Sequence, residues 1–149
     1  MCWKGRKEEA IRLEAKKDIE VFKIIYYKTE KKIYKSYYWG FEYKKDMIEK
    51  QDLRTSNNSD GSILIQSGFY SYKSLDMLNV TNYPQDISVY VRSINDSETI
   101  DIVYSIYEKD KLIIAKFIIP KGSEYYENQN GEIVSNQIIF KEEVNAHSH

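Results

Sequence analysis

Apolar residues in this chain recur as short runs and alternations, and the spacing typical of long amphipathic helices is rare. Ile19 to Tyr27 is β-branched and aromatic, which predicts a strand, and Ile33 to Trp39 follows a polar turn as its partner. Leu112 to Ile119 is almost continuously apolar, as expected of a central strand that is covered on both faces. The pattern therefore predicts a sheet built around at least one buried strand.

The stretch from Ile118 to Ile139 carries the strongest turn signals. After a first strand, Lys121-Gly122 turns the chain, and Tyr125-Tyr126 lies on a short strand. Asn130-Gly131 then closes a hairpin, because this dipeptide favours the tight turns that suit twisted strands. Ile133 to Phe140 returns as the next strand, so this part of the chain is predicted to be an antiparallel meander.

Other segments complete the predicted fold. Ile87 to Ile106 alternates apolar and polar residues and predicts two more antiparallel strands, which lead into Leu112 to Ile119. Lys7 to Lys17 predicts a short N-terminal helix, and Ser74 would cap one helical turn through Leu78. The sequence predicts an α+β fold that is mainly antiparallel β: a twisted sheet, or a partly closed barrel or split sheet, with a short N-terminal helix and one short mid-chain helix.

The weakest pattern lies between residues 44 and 62. Lys44 to Leu53 is predicted as a loose helical turn, and Arg54 to Ser62 is a loop by composition. No linker or repeat divides the chain, so residues 1–149 are predicted to form a single domain. Residues 1–17 would be its N-terminal helical segment, and residues 142–149 its flexible tail.

Charge and cysteine content narrow the functional classes. The net charge is −1, with 14 Lys/Arg against 9 Asp/Glu in residues 1–50 and 8 against 14 in the rest. That balance gives no general attraction to nucleic acid or to anionic membranes. Cys2 is the only cysteine, so no intramolecular disulfide forms. With neither a signal peptide nor an apolar run of membrane-spanning length, the chain is expected to be cytoplasmic.

Several catalytic mechanisms are excluded by the residues that the chain lacks. Its only histidines are His147 and His149, in a polar C-terminal segment. A Ser-His-Asp or Cys-His arrangement in the body of the protein is therefore impossible, and so is a histidine-rich metal site. Phosphate loops and dinucleotide fingerprints are also missing. We expect no cofactor, no metal and no assigned catalytic residue.

Aromatic residues gather at predicted strand ends and turns, within residues 37–43, residues 69–72 and Tyr125-Tyr126. Because a strand alternates its faces, each cluster must send some rings outward, where they could stack a nucleobase or another flat ligand. The alternative is that the rings fill the core of a chain with 14 tyrosines. The candidate ligand-binding residues, including three basic side chains for phosphate and one carboxylate, are Trp39, Tyr43, Tyr70, Tyr72, Lys73, Arg92, Lys121, Tyr125, Tyr126 and Glu132.

Four segments resemble a family of small uncharacterised proteins of gut Bacteroidales bacteria and their phages. These segments are Met1-Cys2, Asp18 to Lys23, Gly68 to Tyr72 and the block from Ile119 to Gln137, of which the last is the most specific. Members of that family often carry His at the position of Tyr70, so a His-dependent activity does not carry over. The resemblance implies an origin in a phage or another mobile element, and no particular activity.

The chain also resembles ADP-ribosyltransferase-like folds, which share a split β-sheet, a Gly-Phe/Tyr-Ser-type strand and a late glutamate. Carried over by that likeness, the candidate residues are Tyr70, Ser71 and Glu132. The Arg or His of the first strand in those folds has no counterpart, because Lys23 is the only base between Ile19 and Tyr27. This likeness is one of fold and carries no chemistry by itself.

Three functional hypotheses follow. The first is a non-enzymatic, homo-oligomeric binding protein that sequesters a nucleotide-derived small molecule, as an anti-defence protein of a phage would. The second is an ADP-ribosyltransferase-like enzyme in which Glu132 aligns the ribose of NAD. The third is a protein–protein inhibitor that uses an exposed edge strand and its tyrosines. None of them involves nucleic acid or a membrane.

Overall fold

The computed structural model describes residues 2–36, 41–77 and 110–144, and these ranges are built almost entirely of short strands. The described strands are β1 (Trp3–Gly5), β2 (Leu13–Glu14), β3 (Ile19–Lys28), β4 (Ile33–Ser36), β5 (Glu42–Tyr43), β6 (Ile48–Lys50), β7 (Thr55–Asn57), β8 (Ile63–Ile65), β9 (Phe69–Tyr72), β10 (Asp110–Ile119), β11 (Glu124–Glu127), β12 (Glu132–Ser135) and β13 (Gln137–Glu143).

Ten of these strands form one large sheet. Its order is β2-β11-β12-β9-β3-β10-β13-β6, and β4 pairs with β3 while β5 pairs with β4. Every pair of these strands is antiparallel. Among the described residues the path ends at β2 and at β6 and does not close on itself. The prediction of a mainly antiparallel β fold is therefore confirmed, and a closed barrel is not formed by this part of the chain.

The centre of the large sheet is the long pair formed by β3 and β10. Their register runs from Asp110 opposite Lys28 to Ile119 opposite Ile19, without a break. The other edge of β10 pairs with β13, so β10 has a neighbour on each side. The apolar run from 112 to 119 thus lies in a central strand, as predicted. Its residues at 113, 115, 117 and 119 are buried on one face, whereas those at 114, 116 and 118 on the other face are half-buried, so coverage of both faces is not confirmed.

The remaining strands, β1, β8 and β7, form a small three-stranded sheet that covers part of the large one. Two cores result, and consecutive residues on one strand belong to different cores. Ile133 lies in the larger core and Val134 in the smaller, as expected from the alternation of a strand. The larger core includes Val21, Ile25, Phe69, Phe117, Ile133 and Phe140. The smaller core includes Trp3, Leu53, Ile63, Ile65, Tyr126 and Val134.

The hairpin predicted at Asn130-Gly131 is present. It joins β11 to β12 with Tyr125 opposite Ser135, and the Asn128 carboxamide oxygen accepts the backbone N–H of Asn130 at 3.0 Å. The return segment consists of two strands, β12 and β13, and between them the carboxamide oxygen of Asn136 accepts the N–H of Glu124 at 2.9 Å.

The predicted short helices are not confirmed. Between residues 7 and 17 the only helical residues are one 3₁₀ turn, Lys7–Glu9, which ends early because its apolar side is too thin to dock. Leu13–Glu14 instead pairs with β11. Of the predicted mid-chain helix, the described residues show the 3₁₀ turn Leu75–Met77.

Two further predictions concern residues that lie partly or wholly outside the described ranges. The strands predicted over Ile87 to Ile106 lie outside the described residues, as do Trp39 and Arg92. At the C-terminus, β13 extends to Glu143 and so includes the first two residues of the predicted tail. No described helix has the length and apolar character that crossing a membrane requires.

Candidate functional site

The edge of β3 that faces away from β10 is shared by two different strands. Near its start, β3 pairs with β9 only through Phe22 and Tyr72. Near its end, it pairs with β4, from Ile25 opposite Ser36 to Lys28 opposite Ile33. At residues 23 and 24 no described residue of either strand pairs with β3. We call this stretch of the β3 edge, between its described pairs with β9 and with β4, the split.

Lys23 occupies the split. Its Nζ donates a hydrogen bond to the backbone carbonyl of Tyr70 on β9, and lies 6.0 Å from the centroid of the Phe117 ring. An ammonium group has three N–H donors, and this carbonyl takes one. Among the described residues no carboxylate forms an ion pair with Lys23, and burial lowers the pKa of Lys23 to about 8. The amine is thus a partly buried base whose one described acceptor is uncharged.

Aromatic rings extend from the Lys23 amine toward solvent. Phe117 is fully buried and contacts Tyr43 edge-on, with ring centroids 4.9 Å apart. Phe41 lies 5.2 Å from Tyr43 and 6.3 Å from Phe69, and it is 41% exposed. Burial, and to a lesser degree the Glu49 carboxylate, raises the pKa of Tyr43, so its phenol stays neutral.

The backbone fixes Phe41 at this place. The Phe41 N–H donates to the Ser36 hydroxyl at 2.8 Å, and the Phe41 carbonyl accepts the Ser36 N–H at 2.7 Å. Phe41 is therefore held beside the last residue of β4, at the outer end of the split. Of the rings of Phe117, Tyr43 and Phe41, only that of Phe41 is exposed enough to stack on a flat ligand, because Phe117 and Tyr43 are buried against each other.

A second polar cluster joins the two sheets. Tyr70 donates its hydroxyl hydrogen to one carboxylate oxygen of Glu132, and the Asn128 carboxamide donates to the other at 2.9 Å. The Trp3 indole donates to the Glu132 backbone carbonyl at 2.8 Å, and Asn128 also donates to the Lys4 carbonyl at 3.0 Å. Because both carboxylate oxygens already accept hydrogen bonds within the protein, this cluster is a joint between the sheets.

The structure brings some of the sequence-predicted site residues together. Tyr70 and Tyr72 lie on one face of β9, with ring centroids 5.9 Å apart, and Tyr70 contacts Glu132. Tyr126 is buried in the smaller core against Trp3, at a centroid distance of 5.7 Å. These four predicted residues therefore lie on the side of the small sheet and not in the split.

The other predicted residues are dispersed. Tyr43 lies at the split, whereas Tyr125 packs against the larger core from β11. Lys73 pairs with Glu127, with 3.2 Å between Nζ and Oε2. The Lys121 side chain is exposed, and its backbone N–H donates to Asp18 at 2.9 Å. The predicted residues thus divide between the two faces of the large sheet.

Lys23 and Phe117 were missed as site residues by the sequence reasoning. One signal was available for Lys23. It sits between Val21 and Ile25 in the two-residue alternation of β3, so the face that carries it is otherwise apolar and buried. A lysine is rarely placed there without a reason. For Phe117 the sequence holds no comparable signal, since it lies in a continuous apolar run.

The residues suggested by the ADP-ribosyltransferase-like resemblance do not share a face. Tyr70 and Glu132 are in contact on the side of the small sheet. Ser71, the next residue of β9, points to the opposite face and is fully buried. Within the described ranges, no cluster of three or more histidine, cysteine or acidic side chains is arranged to hold a metal ion.

Comparison of the chain with models of known protein families, with curated proteins and with solved structures gives no match.

Proposed function

We propose that the protein is a non-enzymatic binding protein for a small ligand that carries an anionic group and a flat ring. The observation that carries this proposal is Lys23, a cationic side chain placed in the split without a described carboxylate partner. A partly buried charge without an oppositely charged partner is costly, so a protein that keeps one gains when a ligand supplies the opposite charge.

Nucleotide-derived molecules combine the two features that this site would recognise. The base offers a flat ring for the exposed face of Phe41, and a phosphate accepts hydrogen bonds from the Lys23 ammonium. A protein that binds such a molecule without converting it lowers the free concentration of that molecule. Together with the resemblance to phage-associated proteins, this supports a sequestering, anti-defence role.

The proposal is tested by thermal shift measurements with a panel of cyclic nucleotides, nucleoside phosphates and ADP-ribose. We expect at least one of them to raise the melting temperature. The variant Lys23→Met should bind that ligand about tenfold more weakly or worse, because a hydrogen bond to a charged group contributes roughly 1.5–3 kcal/mol. Lys121→Met is the matched control and should bind normally, since the Lys121 side chain is exposed and follows Ile119, which pairs with Ile19, four residues before Lys23. A flat response across the panel would contradict the proposal.

A second candidate function is supported by the end of the large sheet at β6, where the described strands give β6 a neighbour on one side only. β6 is the last strand of the path, and Met47 and Ile48 are 47% and 48% exposed. Such an edge can accept a strand from a partner protein. Here Ile48→Lys would abolish a stable complex in pull-downs, whereas Lys23→Met would leave it intact.

A further inference from the structure

We infer that β6 pairs with β6 of a second copy of this chain, so that two large sheets join into one across a two-fold axis. The inference goes beyond the proposed ligand-binding function, because β10 and β13 lie between β6 and the strand β3 that carries the split. It gives the edge used by the second candidate function a definite occupant.

The outer edge of β6 offers backbone groups for this pairing. The Gln51 N–H donates to the Asn136 carbonyl at 2.9 Å, and these two residues lie opposite each other when the register of β6 with β13 is continued. Because the backbone groups of a strand point alternately to its two sides, those of Glu49 also point to β13, whereas those of Ile48 and Lys50 point away from it. In the described sheet no strand lies on that side of β6. Each of these two residues therefore offers one N–H and one C=O to a further strand.

This alternation and the charges of β6 restrict how two copies can pair. Ladder hydrogen bonds form only between residues whose backbone groups face the neighbouring strand, so the two-fold axis must pass beside a residue and not between two residues. Within β6 that residue is Ile48, Glu49 or Lys50. An axis beside Glu49 or Lys50 places that residue opposite its own copy, and like charges directly opposite each other are destabilising. Only the axis beside Ile48 avoids this repulsion.

The register centred on Ile48 is complementary in charge. Ile48 packs on its own copy, and Met47 lies opposite Glu49. Asp46 lies opposite Lys50, and the symmetry forms this contact of opposite charges twice in each dimer. Ile48 and Met47 are 48% and 47% exposed, and the Asp46 and Lys50 side chains are also exposed, so the contacts are accessible to a second copy.

The Asp46 side chain is already held at this end of β6. One of its carboxylate oxygens accepts a hydrogen bond from Lys141 Nζ at 2.7 Å. The other oxygen can accept one from Lys50 of the second copy, because a carboxylate accepts several hydrogen bonds. Forming the dimer contact therefore does not require the existing ion pair to break.

A row of isoleucines crosses the sheet from the same edge. Ile48 lies opposite Ile139 on β13, and Ile139 lies opposite Ile118 on β10. Ile139 and Ile118 are half-buried. When two copies pair through Ile48, the row continues from one sheet into the other, and the exposed Ile48 side chains are removed from water. This burial adds a hydrophobic contribution to the backbone and charge contacts.

The oligomeric state of the full chain tests the inference. Sedimentation equilibrium of the wild type over a wide range of protein concentration should give the mass of two chains. Lys50→Glu and Asp46→Lys each place like charges opposite each other twice, so each should raise the dissociation constant of the dimer by about tenfold or more. Lys121→Glu changes the charge at an exposed turn outside β6 and should dimerise as the wild type does.

Mixing the two variants distinguishes this register from any other interface. In a mixed dimer, the lysine introduced at position 46 lies opposite the glutamate introduced at position 50, and the unchanged Lys50 and Asp46 lie opposite each other. We therefore expect the equimolar mixture to recover the dimer that each variant alone has lost. Recovery also shows that both variants are folded.

Three results would each overturn the inference: a wild type that stays monomeric at every concentration, variants that dimerise as the wild type does, and a mixture that forms no dimer. A monomeric wild type would leave the β6 edge to a strand of another protein. Lys23→Met should remain dimeric, and Lys50→Glu should still bind the ligand of the split. Failure of dimerisation and failure of the proposed ligand binding are thus told apart.

Discussion

Two buried serines on neighbouring strands differ in their hydrogen bonding. Ser71 and Ser135 are both fully buried, but the Ser135 hydroxyl donates to the Gln137 carbonyl at 3.0 Å. Within the described part of the chain, the Ser71 hydroxyl has no hydrogen-bond partner. A buried polar group without a partner costs about 1–3 kcal/mol, so its removal stabilises a protein.

We therefore expect Ser71→Ala to raise the free energy of unfolding by about 1 kcal/mol and Ser135→Ala to lower it by about as much. Urea unfolding of the two variants beside the wild type measures both changes. An equal loss of stability in the two variants would show that Ser71 makes a hydrogen bond after all.

Lys23 predicts a pH dependence of stability. Its pKa is about 8 in the folded chain and about 10.5 in the unfolded chain, so between these values the unfolded chain binds more protons. Stability then rises with pH through this window, because the cost of burying the charge disappears as the folded amine becomes neutral. Below pH 8 the full cost remains.

Lys23→Met removes this dependence, and the comparison with wild type cancels most other titrations. The rise in the pKa of Tyr43, for example, acts above pH 10 and is common to both proteins. We expect wild type to gain roughly 2 kcal/mol relative to Lys23→Met between pH 7 and pH 10. Urea unfolding of both proteins at four pH values measures this gain in the free energy of unfolding. A constant difference between the two proteins would mean that the amine titrates normally.

At the scale of elements, two glycines in the β10–β11–β12 meander allow the conformational cost of a substitution to be measured separately from its packing cost. Both have positive φ, 91° at Gly122 and 73° at Gly131. A Cβ atom at Gly122 would meet nothing within 4 Å, whereas one at Gly131 would lie 2.7 Å from Cγ of Met77. The 3₁₀ turn Leu75–Met77 is therefore packed on the hairpin.

Gly122→Ala should cost only the conformational penalty, about 1 kcal/mol. Gly131→Ala should cost about 1 kcal/mol more, since Met77 must move. In a Met77→Ala background the two glycine substitutions should cost the same, which a double-mutant cycle by urea unfolding would measure. If the two substitutions lower the free energy of unfolding equally in the wild-type background, then the Met77 side chain moves aside without a measurable cost.

The long strands were predictable because their signal is local. β3 and β10 each carry enough β-branched and aromatic residues to be predicted as strands from their local sequence, and Asn130-Gly131 predicts the hairpin that it closes. The short strands were not. Leu13–Glu14 and Ile48–Lys50 hold too few residues for any alternation, and both were predicted as helical. They are strands because β11 and β13 offer them an edge to pair with.

At the scale of the whole molecule, the candidate site depends on long-range pairing that no local pattern encodes. The split exists because β4, which follows β3 directly, and β9, some forty residues later, share one edge of β3. Alternation predicts that Tyr125 and Tyr126 face opposite ways, but the core that receives each ring follows from where the small sheet docks. The sequence could therefore indicate aromatic candidates, and it could not group them into one site.

The docking of the small sheet depends on Trp3. This residue is fully buried, donates to the Glu132 carbonyl at 2.8 Å and packs on Tyr126. Trp3→Phe keeps a ring but leaves that carbonyl without its donor and leaves space beside Tyr126. We expect a loss of about 1–3 kcal/mol in the free energy of unfolding.

The loss of stability should also be confined largely to the small sheet. Amide hydrogen exchange of Trp3→Phe should accelerate in β1, β7 and β8 before it does so in β3 and β10, because parts of a protein can open with different free energies. Leu75→Ala, which truncates an exposed side chain, is the control and should leave exchange in the small sheet unchanged. If exchange accelerates uniformly over both sheets in Trp3→Phe, the two sheets unfold as one unit, and Trp3 stabilises the whole chain instead of one joint.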